Sequence, residues 1–212
     1  ILFFCFMGMG DEILVVKRDI LFKDKEFEGF LLTKEFNFIK IILDNIDYAV
    51  RTKELENDRS WQQPIPYVWL LNPITKQVFL YKRSTTGNEG RLYNKFSGGV
   101  GGHIDKKELV ENGSDPLTQA MMRELEEETI IAKYPIPKII GYLNYNSGVE
   151  DVHFGVVAVG ETTHDVKPAE DMAHGQFYSI EEVEKIFADS VNDVEKWTIA
   201  SWPFIKDYLS KL

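Results

Sequence analysis

One long helix set between strand-like runs limits what this chain can fold into more than any other feature. From residue 115 to about Ile130 the apolar positions recur at helical spacing. Ser114 or Asp115 can cap that helix, Pro116 sits in its first turn, and Pro135 and Pro137 stop its continuation. Before it, Tyr67-Val68-Trp69-Leu70-Leu71 and Gln77-Val78-Phe79-Leu80-Tyr81 read as strands, and the turn signal Asn72-Pro73 makes them a hairpin. After it, residues 138–145 and 152–159 read as two more strands. A doubly wound parallel sheet needs a regular alternation of strand and helix, which is missing. The order fits an α+β chain, a mixed β-sheet sandwiched by helices.

The flanks complete this organisation. Ser179 followed by Glu182 is a capping-box pattern, so residues 179–189 read as a helix. Residues 191–212 are also helical, with a break expected near Pro203. At the other end, Ile13-Leu14-Val15-Val16 reads as a short buried strand. Residues 34–51 show helical spacing, with Phe38, Ile41, Ile42 and Ile46 near one face. Residues 54–59 are charged and aperiodic, and read as a linker. The expected organisation is an N-terminal extension of strand plus helix, residues 1–60, packed on a main domain spanning residues 61–212.

Composition narrows the partners. A formal net charge of −10 repels polyphosphate and nucleic acid at long range, so non-specific nucleic-acid binding is not expected. A phosphorylated substrate would need a bound cation to offset that repulsion locally. The one cysteine, Cys5, has no partner for an internal disulfide, which suits a reducing, cytoplasmic setting. Residues 1–9 are apolar but far short of the roughly 20 residues a membrane helix needs, so they read as a first strand and no membrane association is expected.

The candidate chemistry sits on the central helix. Glu124, Glu127 and Glu128 fall at i, i+3 and i+4 and share one face, away from Met121, Met122 and Leu125. Like charges at this spacing repel one another, so a cation should compensate. Arg123 lies four residues before Glu127 and can pair with it. Such carboxylates can hold a hard divalent ion through oxygen. Taken alone, a glutamate-rich helix face is more often solvated surface. The glycine-rich segment Gly98-Gly99-Val100-Gly101-Gly102-His103 just before it changes that reading, because glycine lets backbone amides and carbonyls approach a ligand closely.

Strand, glycine loop and acidic helix in this order resemble the Nudix hydrolase family. Gly102, five residues, Glu108, and then Arg123-Glu124-Leu125-Glu126-Glu127-Glu128 is similar to the Nudix box. Two departures stand out. Fourteen residues separate Glu108 from Arg123 where the box has seven, which implies an insertion near residues 109–115, unless Asp115 fills the early glutamate position. Ile130 stands where the box ends in glycine.

The resemblance implies a Nudix-like α/β/α sandwich and a metal-dependent pyrophosphohydrolase acting on a nucleoside diphosphate-X type small molecule. It implies Mg2+ or Mn2+ held by Glu124, Glu127 and Glu128, with the Gly102 carbonyl as a further ligand. It also implies catalytic roles for Glu124, Glu127 and Arg123, and substrate contacts from Gly101, His103 and Glu170. A carboxylate from outside the box often assists in this family. Glu170 is the preferred candidate over Glu150, Asp151 and Asp171, each of which could be an ordinary loop acid.

His103, His153, His164 and His174 show no metal-ligand spacing in the sequence. Trp61, Tyr67, Trp69 and Tyr93 could stack on a base, but aromatics in strands are more often core. Substrate selectivity is expected in the segments 83–92 and 166–175. Two other functions compete with the enzyme: a nucleotide- or metabolite-binding sensor of the same fold, and an interaction module that forms a homodimer through Phe3, Phe4, Phe6, Phe22, Phe27 and Phe30. A buried core is the plainer explanation for those phenylalanines.

Overall fold

The computed structural model describes residues 8–83, 95–108, 115–146, 148–169 and 172–212. The chain forms two compact units. The first combines Ile1–Tyr67, Gly101–Met121 and Ile139–Val157, and the second combines Val68–Val100, Met122–Lys138 and Ala158–Leu212. The architecture is α+β, as the strand and helix order predicts.

In the first unit, β1 (Glu12–Lys17) carries the apolar run Ile13-Leu14-Val15-Val16, all buried. It pairs antiparallel with β3 (Asp47–Val50) and with the start of β4 (Trp61–Asn72). A short helix α1 (Arg18–Leu21) follows β1 directly. Strand β2 (Gly29–Leu32) pairs antiparallel with β9 (Lys138–Asn144), from Gly29 opposite Asn144 to Leu32 opposite Gly141. Strand β10 (His153–Glu161) lies next to β9 in the sheet.

Helix α2 covers Phe38–Asp44 and not the longer span 34–51 that its periodicity suggests. Asn37 caps its start by accepting from Lys40 N at 3.1 Å, and the Asn45 side chain donates to Ile41 O at 2.9 Å at its end. Residues 47–50 then leave the helix because β1 offers them a full antiparallel ladder. The aromatic core of this unit is built on Phe38, whose ring lies 5.1 Å from Phe154, 5.2 Å from Tyr142 and 5.5 Å from Phe27. Phe22 packs at 5.9 Å on Phe154. Phe22 and Phe27 are half-buried and pack against this core. Phe3, Phe4 and Phe6 lie outside the described residues.

In the second unit, β5 (Gln77–Arg83) pairs with β4 through Leu71 opposite Val78, which is the hairpin the sequence signals. Asn72 Oδ1 accepts from the amides of Ile74 and Thr75 and holds the turn. Strand β12 (Met172–Ser179) runs antiparallel along β5, and the short strands β6 (Phe96–Ser97) and β7 (Gly99–Val100) add to β5 and β4 respectively.

Strand β8 (Thr129–Ile131) pairs with β11 (Val166–Pro168). Residues 166–168 and 172–175, in a segment where selectivity is expected, are thus strand, while most of the segment 83–92 lies outside the described residues. Helix α4 (Ile180–Ala188) starts from the expected capping box. Helix α5 (Lys196–Lys211) runs through Pro203 without a break. Proline removes one hydrogen bond there, but it sits on the exposed side, where water can take the freed carbonyl. On the opposite face, Trp69 Nε1 donates to Ser201 Oγ at 3.1 Å and its ring stands 6.1 Å from Trp202. These contacts make Trp69 a core residue.

Candidate functional site

Helix α3 (Pro116–Glu128) carries the acidic constellation. Asp115 caps it: Oδ1 accepts from Thr118 N at 2.9 Å and Oδ2 from Thr118 Oγ1 at 2.9 Å. The alternative cap, Ser114, lies outside the described residues, as does most of the inserted segment. Glu108 is buried and its Oε2 accepts from Asp105 N at 2.8 Å, closing the 3-10 turn Lys106–Glu108. The helix ends at Glu128, two residues before the periodicity suggests. Thr129, Ile130 and Ile131 are β-branched and pair with β11. Thr129 Oγ1 donates back to Leu125 O at 2.5 Å and closes the last turn. Ile130, in the place of the box glycine, is 61% exposed and belongs to that strand.

Among the box carboxylates the environments differ. Glu124 is buried, Glu127 and Glu128 are half-buried, and Glu126 faces water. Arg123 Nη1 stands 2.8 Å from Glu124 Oε1 and 2.8 Å from Glu127 Oε2. One guanidinium nitrogen thus bridges two carboxylates that would otherwise repel each other. Charge-assisted bonds of this kind fix side-chain direction as well as offsetting charge. The result is a row of oxygen donors of limited exposure on one turn of helix. Carboxylate oxygens are the donor type that a hard divalent ion takes. The Glu128 carbonyl accepts from Ala169 N at 2.9 Å, which anchors the end of the helix to the residue after β11.

Gly101, Gly102 and His103 belong to the first unit. At Gly101 the chain crosses Pro66 so closely that a Cβ would lie 1.7 Å from the Pro66 carbonyl oxygen. His103 is buried, and its Nε2 is 2.7 Å from Gln63 Oε1. Asp151 is buried and paired with Arg59, and its carbonyl accepts from Gln62 Nε2 at 2.7 Å. Those bonds give Asp151 a structural duty. Glu170 and Asp171 lie outside the described residues.

The structure also assembles a group that sequence spacing does not show. Glu56, His103 and His153 place one ligand atom each within 4.8 Å of one another. Glu56 comes from the 3-10 turn Leu55–Asn57, a stretch that reads as a linker, and Leu55 beside it is buried. His103 ends the glycine-rich segment, and His153 opens β10. The histidines show no metal-ligand spacing along the sequence, and His103 and His153 meet Glu56 through the fold. The lone apolar residue of that polar stretch, Leu55, is the signal in the sequence that the segment packs against the core.

No family model matches the chain. Protein YmaB of Bacillus subtilis (strain 168) is 32% identical over 203 residues, which cover 91% of this chain and 96% of that protein. The crystal structure of Tm1382, a candidate Nudix hydrolase, matches with a TM-score of 0.73 and 25% identity over 93% of this chain and 100% of that one. The MutT protein from Methanosarcina mazei Go1 is more distant, at a TM-score of 0.47 and 19% identity over 71% of this chain and 94% of that one. With the box residues on α3, the near-complete coverage and the shared mixed-sheet α+β fold, this chain is a member of the Nudix hydrolase family.

Proposed function

We propose that the protein is a divalent-metal-dependent pyrophosphohydrolase that cleaves the diphosphate linkage of a nucleoside diphosphate-X type small molecule. The observation that carries this reading is the α3 row of Glu124, Glu127 and Glu128, held in register by Arg123 at 2.8 Å from two of them. In this reading Glu124, Glu127 and Glu128 hold Mg2+ or Mn2+, with the Gly102 carbonyl as a further oxygen. The ion, when bound, neutralises phosphoryl oxygens and lowers the pKa of a bound water.

The chain's own residues do the rest. Glu124 accepts the proton of the attacking water from its buried position. Glu127 shares the Arg123 guanidinium with Glu124. Arg123 is a positioning residue. Of the expected substrate contacts, Gly101 and His103 already have structural partners in Pro66 and Gln63, and any contact they make with substrate adds to those duties. We infer that residues 61–212 form the domain that holds the whole Nudix box, with residues 1–60 as its extension.

The test is a hydrolysis screen with Mg2+ and with Mn2+ across nucleoside diphosphate-X compounds, run beside Glu124→Gln and Glu128→Gln. Metal-dependent turnover that falls by about 10²-fold or more in both variants is expected, the range for removing a positioned proton-transfer group. Absence of turnover by folded protein that still binds nucleotide, equally in wild type and variants, would establish a non-catalytic binding module instead.

A further inference from the structure

We propose that Glu56, His103 and His153 form a binding site for a single transition-metal cation of the zinc class, distinct in its ligands from the glutamates of α3. The three side chains come from the turn at Leu55–Asn57, the glycine-rich segment and the first residue of β10, so the fold converges them within one unit. His103 Nε2 lies 4.0 Å from Glu56 Oε1, and His153 Nε2 lies 3.5 Å from Glu56 Oε2. The two imidazole rings stand 5.4 Å apart at 67°, edge toward face. A tetrahedral zinc with bonds of about 2.0–2.1 Å sets its ligand atoms roughly 3.3 Å apart. Closing that gap takes a rotation of the half-buried Glu56 carboxylate and exchange of the Gln63 Oε1 partner on His103 Nε2 for the ion.

Two further features point the same way. Arg51 Nε holds Glu56 Oε1 at 2.7 Å, which orients the carboxylate and leaves Oε2 toward His153. Outer-shell bonds of this kind commonly fix metal-binding carboxylates. Gln63 is fully buried with its Oε1 on His103, and its Nε2 finds no hydrogen-bond partner among the described residues. That amide donor calls for an acceptor oxygen, which a water or hydroxide on the ion would supply. The chain supplies three ligands, which leaves a fourth position for an outside oxygen.

The test uses the purified chain, stripped with chelator and titrated with Zn2+ by calorimetry and with Co2+ by paramagnetic proton NMR. A single Zn2+ is expected to bind in the presence of excess Mg2+, and the Co2+ form is expected to show hyperfine-shifted ring N–H signals from two histidines. His153→Asn and Glu56→Gln should each weaken Zn2+ by at least about 10²-fold, the upper end of what losing an outer-shell partner costs. Glu124→Gln and Glu128→Gln should leave this ion in place. Unchanged Zn2+ affinity in His153→Asn and Glu56→Gln, or loss of the ion in the α3 variants, would overturn the proposal. Where either cluster variant fails to fold, the wild-type Co2+ spectrum decides, and the absence of shifted histidine signals refutes the site.

Discussion

At Gly101 the side chain is absent for a reason that can be measured. The Cβ of any other residue would lie 1.7 Å from a carbonyl oxygen, and a backbone atom cannot swing aside as a side-chain tip can. Gly101→Ala should therefore cost more than the roughly 1–3 kcal/mol of ordinary overpacking. Urea unfolding checks this, and an unchanged midpoint would refute the crossing at Pro66. Tyr208 gives a second residue-level expectation. Burial, then the hydrogen bond to Glu161 and the charge of Glu161, push its phenol from 10.0 up to about 12. A raised pKa means the neutral phenol contributes stability that is complete below the unfolded value and is lost as pH rises from 10.0 through about 12. Tyr208→Phe should flatten the alkaline fall of the unfolding midpoint over that window. A variant that loses stability there as steeply as wild type would count against the Glu161 contact.

Among the elements, α4 shows how a local signal sets a boundary. Ser179 Oγ accepts from Glu182 N at 3.3 Å while Glu182 Oε2 accepts from Ser179 N at 2.7 Å. Ser179→Ala should destabilise by about 1 kcal/mol. The backbone bond from Ser179, and then its hydroxyl, hold the Glu182 carboxyl below its ordinary value of 4.5. A depressed pKa contributes stability that is present above 4.5 and lost as pH falls through the lower folded value. Glu182→Gln should therefore weaken the acid dependence of thermal unfolding, and a profile parallel to wild type below pH 4.5 would contradict the capping box.

The other elements divide by the same logic. The β4–β5 hairpin, the start of α3 at Pro116 and the start of α4 were legible because turn and cap chemistry is written in adjacent residues. The ends of α2 and α3 were not, because β1 and β11 compete for residues 47–50 and 129–131 and win them by strand pairing. Helical periodicity in the sequence contains no record of that competition.

For the whole molecule, charge makes the plainest prediction. With a net charge of −10, the chain should show no shift of a duplex DNA band at about 0.15 M salt, where non-specific binding rests on cations meeting phosphates. A clear shift would mean a basic surface that the composition hides. No helix among the described residues is long and apolar enough to cross a membrane.

The sequence by itself determined the α+β class, from the order of strand and helix signals, the Nudix box, and the shared face of Glu124, Glu127 and Glu128 with Arg123 in reach of Glu127. That face follows from the 3.6-residue repeat of one helix and needs no distant partner. Only the tertiary structure decided that Gly101 serves the Pro66 crossing and that Glu56 meets His103 and His153. Those meetings depend on which strands pair and how segments far apart in the chain fold onto each other, and no spacing along the sequence encodes that.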